Sequence, residues 1–173
     1  MITENATRSR ALAALRILLI ISCLLTGLLA GENADRYLIQ VPAWRHVNIV
    51  AWAEFVRHAD LSITGMILYP GEAIISCLLL VIASIIALKN RNVLAITTNH
   101  IYTSTCFALA GLGLTIFAAP YLISVWSMPD DPILLQQQFN HFHFWGLFRA
   151  VAQILSFFTC VFALSKVFEL EKK

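Results

Sequence analysis

The sequence predicts an all-α fold: an integral membrane four-helix bundle with an amphipathic outer segment between helices 1 and 2. Three observations carry that prediction. The 173 residues are 59% hydrophobic and 13% charged, against about half and a quarter in an average soluble domain. Of the 12 basic and 10 acidic side chains, only Arg16, Glu72 and Arg149 fall within the apolar stretches 11–30, 61–88, 93–126 and 139–165. Each stretch can cross a bilayer, which takes about 20 mostly apolar residues. The same composition excludes a secreted disulfide scaffold, a disordered tail and a nucleic-acid binder, because a net charge of +2 spread over short loops offers phosphates no basic surface. Neither an internal repeat nor a low-complexity tract divides the chain, so residues 1–173 read as one transmembrane domain.

Span 1 covers about residues 11–30. Arg8 and Arg10 precede it as in a signal peptide, but Leu28 before Ala30 and Glu32 before Ala34 spoil a small-x-small cleavage site, so the segment reads as retained. Its end, Gly27-x-x-x-Gly31, permits a close helix contact. Residues 31–60 are the outer interfacial segment. There Val47, Val50, Ala51 and Phe55 recur at helical spacing, apart from Asn48, Glu54, Arg57 and His58, which predicts a surface helix anchored by Trp44 and Trp52. Span 2, about 61–88, contains Pro70, which removes a backbone donor and predicts a kink. The turn at Lys89–Asn92 leads into span 3, about 93–119, with Pro120, Tyr121 and Trp126 at its exit. Asp131 as N-cap and Pro132 at the first helical position start helix 4 outside the membrane, with the span itself at about 139–168. Arg8, Arg10, Arg16, Lys89, Arg91, Lys166, Lys172 and Lys173 fall on one side, against Arg36, Arg45 and Arg57 in the opposite loops. That bias predicts cytoplasmic termini and, for a bacterial chain, an inner-membrane location.

Ionisable groups within a membrane are costly and face the interior or a cavity. Glu72 lies 17 residues before Lys89, and Arg149 lies 17 before Lys166, so both sit roughly 25 Å from the inner boundary. Each belongs to a polar stripe at i+3 or i+4 spacing: His58, Ser62, Gly65, Tyr69, Glu72 and Ser76 on helix 2, and Gln138, His141, Trp145, Arg149, Gln153, Ser156 and Cys160 on helix 4. The expectation is a Glu72–Arg149 pair in an outer-half pocket whose ligand-binding residues are Tyr69, Glu72, His141, Trp145, Arg149 and Gln153. The competing reading is a hydrogen-bonded seam that only fixes helix register. No catalytic residue is assigned. Cys23, Cys77, Cys106 and Cys160 fall one per span without a C-x-x-C pair, which argues for packing rather than dithiol exchange. His141 and His143 point about 200° apart on a helix, and His100 shares its level with no other histidine, so only His46, His58 and His141 on the outer face could share a metal. Neither a metal nor another cofactor is expected, and no phosphate loop, serine elbow or zincin motif is present.

Ala30-Gly31-Glu32, Pro42-Ala43-Trp44, Trp52-Ala53-Glu54-Phe55, Ala59-Asp60-Leu61, Leu68-Tyr69-Pro70, Ala119-Pro120 and the run from Phe139 through Trp145 to Arg149 resemble an anthrone oxygenase-like family. Its members are small four-span membrane proteins carrying a domain of unknown function. What the resemblance implies is a four-helix bundle with, in some members, cofactor-independent oxygenation of a polycyclic phenol. The expected partners are membrane lipid and a small hydrophobic ligand, phenol- or quinone-like, and not nucleic acid. The alternative is a noncatalytic subunit or assembly factor in a larger membrane complex or homo-oligomer. Transport ranks lower, because only Asn99, His100 and a few hydroxyls serve the inner half.

Overall fold

The computed structural model describes residues 2–171, with side chains for 9–90 and 97–170; the side chains of Arg8, Arg91, Lys172 and Lys173, which enter the orientation argument, lie outside the described residues. The chain runs as α1 (Ile2–Asp35), a π-helical turn (Arg36–Gln40), α2 (Val41–Trp44), α3 (Ile49–His58), α4 (Ile63–Lys89), α5 (Arg91–Ser124) and α6 (Pro132–Glu171). Four stretches, Ser9–Trp44, Ile63–Lys89, Thr97–Ser124 and Pro132–Leu170, are long and apolar enough to cross a membrane. The fold is an all-α bundle of the integral membrane kind. Its outward face carries Ile17, Leu24, Ile67, Ile116 and Phe162, all exposed, as expected of helices that are apolar on every side.

The long helices form a ring in which α1 and α5 each pack against both α4 and α6. Helices α4 and α6 therefore stand diagonally. Two apolar clusters close the bundle at its ends. Leu15, Leu19, Leu80, Ile101, Cys160, Ala163 and Val167 fill the end near the termini. Trp52, Val56, Leu61, Val125, Leu135, Phe139 and Phe142 fill the end where α2 and α3 lie. Between them the interior is polar, with Thr26, Asn33, Ser76, Gln153 and Ser156 buried. Several of these hydroxyls are satisfied within or between helices: Thr26 donates to the Ser22 carbonyl at 2.7 Å, and Ser104 donates to the Ser156 carbonyl at 2.8 Å.

Capping follows the sequence closely. Asp131 accepts from the backbone of Ile133 at 2.8 Å, Ser62 accepts from Gly65 at 3.0 Å, and Asn48 accepts from Val50 at 3.0 Å, each satisfying an orphan donor of a first helical turn. Gly27 lies against the Phe157 ring, where an added Cβ would come within 3.1 Å; Gly31 faces open space. Only the first glycine of that motif serves a helix contact.

Three expectations are corrected. Helix 1 does not stop near residue 30: it continues through the π-helical turn to Trp44. Pro42 cannot donate to the carbonyl of Leu38 and crowds it, and the chain widens at this point into i+5 bonding, with Val41 N–H donating to the Arg36 carbonyl. The outer amphipathic segment is thus α3 alone. Its buried face is Trp52, Ala53 and Val56, while Val47, Ala51 and Phe55 are exposed. Trp52 is a core residue, edge-on to Phe139 at 5.1 Å, not an interfacial anchor, because α3 folds back onto the top of the bundle. Arg57 fixes it there: Nε donates to the Val125 carbonyl at 3.0 Å, Nη2 to the Met128 carbonyl at 2.9 Å, and Nη1 to Asp130 at 2.8 Å. Lastly, α5 passes Pro120 and ends at Ser124.

Candidate ligand cavity

The π-helical turn and the break between α3 and α4 bring opposite charges together at the polar level of the bundle. Arg36 Nη2 lies 2.7 Å from Asp60 Oδ1, with side chains only 13% and 3% exposed. Gly65 allows this, since a Cβ there would collide with the carbonyl oxygens of Ala59 and Asp60. Arg36 also stands 5.9 Å from the ring centres of Tyr69 and Phe142, close enough for cation–π attraction. One turn before it on the same face, Asn33 Nδ2 donates to Gln153 Oε1 at 2.6 Å and to the Leu29 carbonyl at 2.6 Å.

These groups border a cavity of about 500 Å³ that all four long helices line and that opens to the outside past the exposed Met66, Tyr69 and Ile123. Its polar wall includes Glu32, Asn33, Arg36, Asp60, Tyr69, Arg149 and Gln153; its apolar wall includes Leu29, Leu61, Leu112, Ala119, Leu122 and Phe142. That size and mixture suit a drug-sized ligand. Arg149 stands 5.7 Å from the Phe142 ring centre, and its Nε is buried without a hydrogen-bond partner. Asp60 Oδ2 is likewise buried and unpartnered. Arg149 and Asp60 both line the cavity, so its wall carries an unpaired buried donor and an unpaired buried acceptor, where such orphaned groups are otherwise rare.

Of the six residues expected to bind a ligand, Tyr69, Arg149 and Gln153 line this cavity, and Glu72, His141 and Trp145 do not. His141 is exposed and stacks on Tyr121 at 4.9 Å. Trp145 is half-buried and stacks on Phe117 at 5.3 Å. Among the described residues no ion pair joins Glu72 to Arg149, and Glu72 Oε2 is buried without a partner. The reason is azimuth: equal rise along two helices gives equal depth, but α4 and α6 are diagonal, and Arg149 faces the cavity while Glu72 does not. Glu72 instead comes within electrostatic range of Glu32 on α1.

The residues missed by sequence reasoning are Glu32, Asn33, Arg36 and Asp60. Leu29, Asn33, Arg36 and Gln40 are spaced by three or four, so their shared face would have been visible had helix 1 been extended past residue 30. Asp60 carried no such signal. Among the described residues no three His, Cys, Asp or Glu side chains cluster as metal ligands, so His46, His58 and His141 are not assembled. His143 is buried among Tyr37, Trp44, Trp52, Phe139 and Phe142, with Nδ1 2.7 Å from the Phe139 carbonyl. Comparison with known proteins returns no matching family model, curated protein or solved structure.

Proposed function

We propose that this protein binds a small hydrophobic molecule bearing a carbonyl or phenol oxygen, of the phenol or quinone class, in the cavity between its four spans. The observation that carries the reading is the pairing of a cavity of about 500 Å³ with an unpartnered buried Arg149 Nε on its wall. A flat ring system fits an apolar wall of Leu, Ala and Phe side chains, and its oxygen takes an N–H of the Arg149 guanidinium. Tyr69 and Gln153 supply further hydrogen bonds, and the Arg36–Asp60 pair holds the wall beside Tyr69.

The anthrone oxygenase-like resemblance supports the same ligand class. Should the bound phenol be oxygenated as in that family, the carboxylates on the cavity wall able to accept its proton are Glu32, Asp35 and Asp60, of which Asp60 is held by Arg36 and Asp35 by Gln40. The reading places the protein in a bacterial inner membrane with both termini cytoplasmic, on the charge bias of the loops. A subunit or assembly role is the second reading, favoured by α5, whose membrane stretch is only 17% buried within the chain.

Titration of the detergent-solubilised protein with menadione, read by thermal unfolding, tests the ligand reading. The expected result is saturable stabilisation that Arg149→Leu weakens at least tenfold in apparent Kd, which is about 1.4 kcal/mol. Equal affinity in both proteins, or no saturation, would refute it. Purification at fixed stoichiometry with another membrane protein would favour the second reading.

A further inference from the structure

The sequence contains no C-x-x-C pair, yet the fold brings together two cysteines 137 residues apart. Cys23 of α1 and Cys160 of α6 place their Sγ atoms 3.2 Å from each other, and both thiols are free. A disulfide holds its sulfurs at about 2.05 Å, so the remaining approach is roughly 1 Å. Side-chain rotation covers that.

The surroundings define what could oxidise the pair. Cys23 lies seven residues from Arg16, and Cys160 six from Lys166, so each sits about 10 Å along its helix from a basic residue of that half. Cys160 is fully buried, packed with Leu15, Leu19 and Leu80 in the apolar cluster. Cys23 is half-buried, and its neighbours Ile20, Ile21 and Leu24 face outward. Hydrocarbon around one thiol and protein around the other exclude charged, water-borne oxidants such as glutathione disulfide. Only a lipid-soluble oxidant reaches Cys23, and it reaches it from the lipid side.

We propose that Cys23 and Cys160 are a redox-active dithiol that a membrane-dissolved quinone oxidises to a disulfide tying α1 to α6. The Cys23 sulfur attacks the quinone ring, and the Cys160 sulfur then displaces it. Two S–H bonds break and one S–S bond forms. The two electrons and two protons leave on the quinone, which departs as hydroquinone. The proposal shares the ligand class of the cavity but not the cavity itself, whose wall residue Gln153 lies seven residues from Cys160 along α6, about 10 Å away.

The test uses the reduced full chain in proteoliposomes, given ubiquinone-1 and then alkylated under denaturing conditions. The expected result is a fall in alkylatable thiols from the four in the sequence to two, a Cys23–Cys160 linked peptide, and one hydroquinone per chain. Cys23→Ser or Cys160→Ser abolishes the hydroquinone, while Cys77→Ser and Cys106→Ser leave it; alanine variants replace any serine variant that does not insert. Four thiols still alkylatable with the quinone unreduced, or disulfides to other cysteines, would overturn the proposal. Closure by diamide but not by ubiquinone-1 would overturn the quinone assignment. Menadione binding to the Cys23→Ser, Cys160→Ser double variant reports on the cavity alone, so the two readings fail separately.

Discussion

Arg149 and Glu72 each leave a buried polar atom without a partner, and neither serves the other. A charge in this environment tolerates such isolation only beside a polar cavity, water or ligand, which is the setting Arg149 has. Their depth was legible in the sequence, because rise per residue is fixed at 1.5 Å. Their azimuth was not, because it depends on which helices become neighbours. A double-mutant cycle of Glu72→Gln and Arg149→Gln, measured on unfolding in mixed micelles, should therefore be additive within about 0.5 kcal/mol. A coupling above about 1 kcal/mol would restore the direct pair. Arg36 and Asp60 form the contact that the other two do not. Both lie in the stretch that the sequence suggested was an outer segment, and that reading hid them.

At the level of elements, periodicity located α3 correctly and misjudged its face. Val47, Val50, Ala51 and Phe55 form one apolar stripe, and Trp52, Ala53 and Val56 another; a short helix between a lipid interface and a protein surface has reason to be apolar on both. Sequence alone cannot say which stripe meets the bundle. The Arg57 hydrogen bonds to the α5–α6 connection decide it, since they turn Trp52 inward onto Phe139. Trp52→Ala should cost about 3–5 kcal/mol, as for large aromatic truncations in cores, and Phe55→Ala, at 42% exposure, less than about 1 kcal/mol. Similar losses from both, measured by thermal unfolding in detergent, would place α3 differently. The helix cap at Asp131 was readable because capping is local chemistry. The π-helical turn at Arg36–Gln40 was not, since an i+5 bond leaves only Pro42 as a sequence trace.

For the whole molecule, hydropathy dictated four spans, and short connections ordered α4, α5 and α6 as successive neighbours. Closure of the ring by α1 against α6 was not legible, and it has two consequences. It forms the cavity among the four helices, and it sets Cys23 against Cys160. The central claim is that the cavity receives a quinone- or phenol-like ligand. Photolabelling the protein in proteoliposomes with an azido-quinone, followed by peptide mapping, tests this most directly. Label competed by excess menadione should concentrate on residues 29–40 of α1 and its π-helical turn, 65–73 of α4, 112–123 of α5 and 142–153 of α6, and fall several-fold in Arg149→Leu. Label spread over the lipid-facing side chains, uncompeted and unchanged in that variant, would contradict it.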